Sequence, residues 1–110
     1  MEFTELDEFK KDLKKLARKY PSLEKDIEVR RIVLIKFPIG PSNHTTQIPE
    51  LKIKSRIYKT RLMCRSLKKS DALRLIYCYS EEEQRITFIE VYFKGHKESE
   101  NRDRISQYFD

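Results

Sequence analysis

The chain has 110 residues, which suits one domain with a single hydrophobic core and is too short for two. Hydrophobic and charged residues each make up 38% of it, a balance that excludes a largely disordered chain. The net charge of +6 favours an anionic partner such as nucleic acid, an acidic protein segment or a membrane surface.

Membrane insertion and secretion are not expected from this sequence. No apolar run approaches the roughly 20 residues that span a bilayer, and the N-terminus MEFTELDEFKKD is polar, unlike a signal peptide. We therefore expect a cytoplasmic protein without a membrane partner.

The N-terminal segment ELDEFKKDLKKLARKY predicts an amphipathic helix over residues 5–20. Its apolar side chains recur at i, i+3, i+4 and i+7, while lysines fill the opposite face. Thr4 is a candidate N-cap, and the acidic first turn suits the positive end of the helix dipole. Pro21 ends this helix, and a second is predicted over about 22–36, although its β-branched end VRRIVLIKF could instead form a strand.

The rest of the chain predicts mainly strands. The segment FPIGPSNHTTQIP is rich in turn residues and predicts a loop. Strands are predicted over about 51–63, 73–79 and 85–94, and the short polar connection SEEEQ favours a hairpin between the last two. A final helix is predicted over 98–109, and the N-terminal MEF could add an edge strand.

These elements predict an α+β fold that forms a single domain over residues 1–110. We expect an antiparallel sheet of 3–4 strands, with two N-terminal helices packed on one face and a short C-terminal helix. The other face should stay free and could carry basic side chains. Cys64 and Cys78 lack the spacing of a zinc site and are expected to be buried, reduced thiols.

The stretch KIKSRIYKTRLMCRSLKK, residues 52–69, carries eight Lys or Arg and no acidic residue. One interpretation is a solvated edge strand, protected by lysines against pairing with other sheets. The other is a surface that binds nucleic-acid phosphates by counterion release, with tyrosines stacking on unpaired bases. Its basic residues change parity near Arg56–Tyr58, which predicts a bulge there or an edge strand exposed on two sides. Arg74 is the single charge within the apolar strand that follows.

The run KTRLMCRSLKKSDALRLIYCY, followed by ITFIEVYFKGHKESE, resembles the RelE/ParE superfamily of type II toxins, and most of all its HigB-type and RelE-type members. Those members have a basic strand ending in a K-x-R-like pair, a Lys-rich turn, a strand of the form xRxIYxY and a basic turn before the last helix. The opening FKKDLKKLARKYPSLEKDI is similar to the first two helices of that fold. The resemblance covers nearly the whole chain.

The resemblance implies a ribosome-dependent endoribonuclease that cuts mRNA and is held inactive by a cognate antitoxin. In this chemistry a ribose 2′-hydroxyl attacks the adjacent phosphate and the 5′-oxygen leaves, so no metal or other cofactor is expected. The sequence has neither a P-loop nor a GxGxxG motif, which also argues against nucleotide-dependent catalysis.

By the same resemblance, individual residues match the family's functional positions. Lys59 and Arg61 match the basic pair, Arg74 the phosphate-binding arginine, and Lys97 the basic residue after the last strand. His96 lies in the turn beside Lys97 and is the candidate proton-transfer group, because imidazole exchanges protons near neutral pH.

The RNA-binding residues that the resemblance implies lie around these positions. Lys68 and Lys69 match the Lys-rich turn, and together with Arg65 and Lys94 they are expected to bind RNA. The chain departs from the RelE-type pattern in its last helix, where Asp103 stands at the place of a tyrosine.

Two other functions remain open. A ParE-type toxin would inhibit DNA gyrase and cut no RNA, whereas a non-catalytic RNA-binding relative would keep the fold and charge without the proton-transfer groups. An antitoxin is expected to cover apolar grooves and mask the cations, either between the first two helices or on the basic sheet face.

Overall fold

Three helices and five strands are formed by the described residues of the computed structural model, which are 1–39, 45–48, 56–67, 72–97 and 99–109. In chain order they are β1 (Glu2–Glu5), α1 (Asp7–Lys19), α2 (Leu23–Lys36), β2 (Thr45–Gln47), β3 (Arg56–Leu62), β4 (Leu73–Ser80), β5 (Arg85–Phe93) and α3 (Arg102–Phe109). The predicted α+β class is confirmed.

The strands form one mixed sheet in the order β1-β5-β4-β3-β2. Neighbours from β2 to β5 are antiparallel, which confirms the β4–β5 hairpin, whereas β1 runs parallel to β5 at the edge. The possible N-terminal edge strand is therefore confirmed. At most four strands were expected, and the sheet has five. The additional strand is β2, which lies in the predicted loop and pairs with β3. A run of three residues is too short to show the alternation by which strands are predicted.

The first helix begins later than predicted, and its N-cap residue is not Thr4. Thr4 lies in β1, and its hydroxyl hydrogen-bonds that of Thr87 on β5 at 2.7 Å. Parallel pairing with β5 keeps the backbone extended through Glu5, so Leu6 becomes the N-cap residue and Thr4 does not. The second helix remains helical to Lys36, and its β-branched end does not form a strand.

Apolar residues pack on both faces of the sheet. Beneath α1 and α2 lies the larger cluster, to which the helices contribute Phe9, Leu23, Ile27 and Leu34. On the opposite face a second cluster collects Ile48, Ile57, Ile76, Cys78, Ile89, Tyr92 and Ile105. The expectation of a free second face was wrong, because α3 places the fully buried Ile105 there.

The remaining expectations concern the cysteines and membrane insertion. Cys64 and Cys78 are both buried and neither forms a disulfide, as predicted. Within the described ranges, no helix is long and apolar enough to cross a membrane.

Candidate functional site

The α3 side of the sheet carries a row of two arginines and a tyrosine. Alternate residues of a strand share a face, so Arg61 points to the same side as Ile57, which packs in the α3-side cluster. Arg61 pairs directly with Arg74 on β4, and Arg74 pairs with Tyr92 on β5. These three residues form a row across three adjacent strands, named here the Arg–Arg–Tyr row.

A bulge in β5 determines which residues reach this face. The pairing of β4 with β5 shifts between Ile76 and Tyr77, which leaves Ile89 as an extra residue between Phe88 and Glu90. Ile89 packs in the α3-side cluster, and the Glu90 carboxylate accepts a hydrogen bond from Lys97 on the same side of the sheet. In a classic bulge two consecutive side chains point the same way, and here they are Ile89 and Glu90.

The bulge predicted in β3 is not present among the described residues. From Arg56 to Leu62 the strand pairs without interruption with β4. It is not an edge strand either, because β2 pairs with its other side. Residues 51–55 of the predicted strand lie outside the described part of the chain.

Arg74 is held within the sheet rather than displayed on its surface. Only 8% of the residue is exposed, and one guanidinium nitrogen donates to the carbonyl of Leu73 at 3.2 Å. Burial and the nearby charges of Glu100 and Glu90 together raise the pKa of Tyr92 to about 12, against the opposing charge of Arg74. The Tyr92 phenol is therefore protonated at neutral pH and can donate a hydrogen bond.

Each lysine of the site is paired with a buried carboxylate. Lys59 Nζ lies 3.1 Å from Glu100 Oε2, and Lys97 Nζ lies 2.5 Å from Glu90 Oε2. The Lys97 ammonium also lies 5.5 Å from the centre of the Tyr92 ring. Lys59 and Lys97 thus lie beside the Arg–Arg–Tyr row with their charges partly neutralised.

The two glutamates are satisfied by further contacts. Glu90 Oε1 accepts the Asn101 backbone N–H at 2.8 Å, and Glu100 Oε1 lies 3.4 Å from Arg102. Burial raises the pKa of Glu100, but a hydrogen bond with its own backbone, Lys59 and Arg102 together lower it below the ordinary value. Glu100 is therefore ionised at neutral pH despite its burial.

Helix α3 is anchored so that the segment before it covers the site. Arg104 donates to Asp12 of α1 at 2.6 Å and to the carbonyl of Ile89 at 3.0 Å. Its guanidinium therefore links α3 to α1 and to the bulge. Together with Ile105, this fixes the position of Glu100 and Asn101 over β3 and β5.

Other predicted residues lie away from this cluster. The ring of His96 packs edge-on against Phe93 at 4.9 Å, and Phe93 belongs to the cluster under α1 and α2. The imidazole therefore turns towards the α1–α2 side rather than towards Arg74. Lys94 is exposed in the same turn, and its backbone N–H donates to Ala72 at 2.7 Å.

Arg65 is bound to the second helix. Its Nε donates to Asp26 Oδ1 at 3.0 Å, and its backbone N–H donates to Oδ2 at 3.1 Å. Burial raises the pKa of Asp26, but hydrogen bonds from Ser22, Arg65 and Cys64 lower it below the ordinary value. Lys68 and Lys69 lie outside the described residues.

Neither glutamate of the site was predicted from the sequence. Glu90 is the single charge within the apolar strand ITFIEVYF, which is the same signal that singled out Arg74. Glu100 carries no comparable signal, because its burial depends on how the segment before α3 folds back. In the described part of the chain, no group of three or more His, Cys, Asp or Glu could hold a metal ion.

This arrangement is suited to binding a phosphate group. Four cations, contributed by Lys59, Arg61, Arg74 and Lys97, lie with a neutral phenol on one face of the sheet. An arginine guanidinium can donate two parallel hydrogen bonds to the oxygens of one phosphate. Cations held in a partly buried site stabilise the negative charge that develops on those oxygens during reaction.

Comparison with protein-family models finds no match, and neither does comparison with curated proteins. Among solved structures, the chain is similar to a chain of the archaeal RelE–RelB complex from Pyrococcus horikoshii OT3. The TM-score is 0.61 at 13% sequence identity, and the match covers 86% of this chain and 94% of that one. The chain therefore has the RelE-like fold.

Proposed function

We propose that the protein is the toxin of a type II toxin–antitoxin system, a ribosome-dependent endoribonuclease that cleaves mRNA and inhibits translation. The observation that carries the proposal is the Arg–Arg–Tyr row flanked by Lys59 and Lys97 on one sheet face. The RelE-like fold supports it, since the similar solved chain belongs to a RelE–RelB complex.

The cleavage would proceed by attack of a ribose 2′-oxygen on the adjacent phosphorus. The O2′–P bond forms while the P–O5′ bond breaks, leaving a 2′,3′-cyclic phosphate and a 5′-hydroxyl. Arg61 and Arg74 would bind the non-bridging oxygens, whose negative charge increases in the crowded intermediate. The cations thus supply the stabilisation for which other nucleases use metal ions.

Two proton transfers accompany this reaction. The 2′-hydroxyl loses a proton, and the leaving O5′ gains one. The Tyr92 phenol, with its pKa near 12, is suited to donate rather than to accept. We propose His96 as the base because it lies next to Lys97 in the sequence. Its imidazole packs against Phe93, so the turn would have to move to bring the ring towards the RNA.

An acidic antitoxin is the proposed protein partner. Helix α2 carries apolar residues on its solvent side as well as its buried side, and Val29, Ile32 and Ile35 are each more than half exposed. Beside them a groove of about 360 Å³ is lined by Val29, Val33, Leu62, Met63, Asp26, Arg30 and Arg65. Two arginines against one aspartate give this groove a positive rim, which suits an acidic amphipathic segment.

The first test is induced expression of the wild type, of Arg74→Ala and of Arg61→Ala, with growth measured and mRNA 5′ ends mapped by primer extension. We expect growth arrest and new mRNA ends with the wild type and neither with the variants. Arg74 is buried, so melting temperatures must show that the variants fold; Arg61 is exposed and is the safer substitution.

Other outcomes of this test would contradict the proposal. Arrest with intact mRNA and loss of DNA supercoiling would indicate a gyrase inhibitor instead. Normal growth, together with salt-sensitive RNA binding and no cleavage, would indicate a non-catalytic RNA-binding protein. If no acidic protein encoded beside this one co-purifies with it or relieves the arrest, the antitoxin part of the proposal is wrong.

A further inference from the structure

Two buried carboxylates lie within a site whose proposed ligand is an anion. The side chains of Glu90 and Glu100 are 4% and 3% exposed. Burying a carboxylate is unfavourable unless it is paired and hydrogen-bonded, and a negative charge beside a phosphate site weakens phosphate binding. RNA affinity therefore does not account for glutamates at these two positions.

The contacts of both glutamates follow the same pattern. One oxygen is fixed by the segment around α3, through the Asn101 N–H for Glu90 and through Arg102 for Glu100. The other oxygen holds a lysine ammonium, that of Lys97 or Lys59. Glu90 therefore links the Asn101 backbone to a lysine ammonium, and Glu100, which also hydrogen-bonds its own backbone, links the Arg102 guanidinium to one.

We propose that Glu90 and Glu100 are positioning residues that hold the ammonium groups of Lys97 and Lys59 beside the Arg–Arg–Tyr row. The inference rests on the proposed function, and it adds two acidic residues to a site otherwise described by its cations. A lysine side chain has many rotamers, and restricting it before RNA binds removes that entropic cost from the reaction.

The proposal predicts that cleavage falls while RNA binding does not. Replacing Glu100 or Glu90 by Gln removes one negative charge, so RNA affinity should be unchanged or higher. The lysine is no longer held, so the single-turnover cleavage rate on programmed ribosomes should fall on the order of tenfold to a hundredfold. Affinity is measured separately, with an RNA that carries a 2′-deoxyribose at the cleaved position.

Glu83→Gln is the matched control for these variants. It makes the same change of charge and breaks an exposed pair with Arg85 at 2.8 Å in the β4–β5 turn. We expect its cleavage rate to equal that of the wild type. Rates of Glu90→Gln and Glu100→Gln within about twofold of this control would overturn the inference, even if their melting temperatures were lower.

A second measurement does not depend on cleavage. Lysine ammonium groups held in ion pairs exchange protons slowly enough to be followed by ¹⁵N NMR, and Lys59→Arg and Lys97→Arg assign the two signals. Glu100→Gln should remove only the Lys59 signal, and Glu90→Gln only that of Lys97. If both persist, the carboxylates do not position the lysines. If the signals behave as expected but the wild type cuts no RNA, the proposed function fails and the positioning stands.

Discussion

At the scale of single residues, Arg61 and Arg74 lie directly opposite each other on adjacent strands. Like charges in such a cross-strand pair destabilise a sheet, by up to about 1 kcal/mol. The buried position of Arg74 makes solvent screening of this repulsion less effective. An anion bound by both arginines, as the proposed function requires, would relieve this repulsion.

Substitution of Arg61 should therefore change stability and activity in opposite directions. We expect Arg61→Gln to raise the free energy of unfolding by about 0.5 kcal/mol, because the repulsion with Arg74 is removed. The same variant should lose RNA cleavage. Urea denaturation measures the first effect, and mapping of mRNA ends measures the second.

Arg56→Gln is the control for this prediction. Arg56 lies at the start of the same strand and pairs with Tyr79 rather than with a second arginine. Its replacement should therefore not raise the free energy of unfolding, because no repulsion with a second arginine is removed. A loss of stability in Arg61→Gln but not in Arg56→Gln would show that Arg61 contributes to the fold instead of straining it.

Alternation along β3 and β4 was enough to predict that Arg74 shares a face with Ile76 and Cys78. It worked because those strands pair without interruption in this region, so the period of two holds. The same reasoning could not find Glu100, since its burial comes from a segment without regular structure. Nor could it orient His96, whose ring position depends on packing against Phe93.

At the scale of elements, α3 has only eight residues but determines the shape of the site. Helices of this length are marginal in isolation, so packing must stabilise it. Ile105 supplies that packing, and Arg104 adds the link to Asp12. The position of Glu100 thus depends on the apolar contacts of the helix that follows it.

We expect Ile105→Ala to lower the free energy of unfolding by about 2–4 kcal/mol, because it leaves a cavity under α3. Cleavage should fall as well, since Glu100 would no longer be held beside Lys59. Ile32→Ala, at a position 62% exposed, is the control and should change stability by less than about 0.5 kcal/mol. Equal losses in the two variants would show that α3 is not held by its isoleucine.

Prediction of the elements succeeded where periodicity extends over many residues. The spacing in α1 and the hairpin of β4 and β5 were both evident from the pattern. Two features were missed because neighbouring chain segments determine them. Strand β2 forms by pairing with β3, and the second face of the sheet is covered because α3 packs there.

At the scale of the whole molecule, the proposed partners use different surfaces. The cations of the site lie on the α3 side of the sheet, whereas the apolar groove lies between α2 and the residues around the end of β3. An antitoxin segment seated in that groove would not occupy the Arg–Arg–Tyr row. Inhibition would then require the partner to extend around the sheet, or to block access to the ribosome.

A pair of substitutions at Val29 tests the groove. Val29→Glu and Val29→Lys both remove an apolar contact, but only the first repels an acidic partner. We expect Val29→Glu to weaken antitoxin binding by at least about tenfold relative to Val29→Lys, with cleavage of RNA unchanged in both. The measurement is co-purification with the neighbouring acidic protein, followed by titration. Equal affinities of the two variants would exclude an acidic segment from this groove.

The bulge at Ile89 also affects how this chain is aligned with others. Residues of β5 before and after it follow opposite parity, so Phe88 faces α1 and α2 while Glu90 and Tyr92 face α3. A relative whose last strand pairs without a bulge would match this chain only if a one-residue gap were opened inside the strand. An ungapped alignment would set Glu90 opposite a residue of the other face, so shared site residues would be counted as differences.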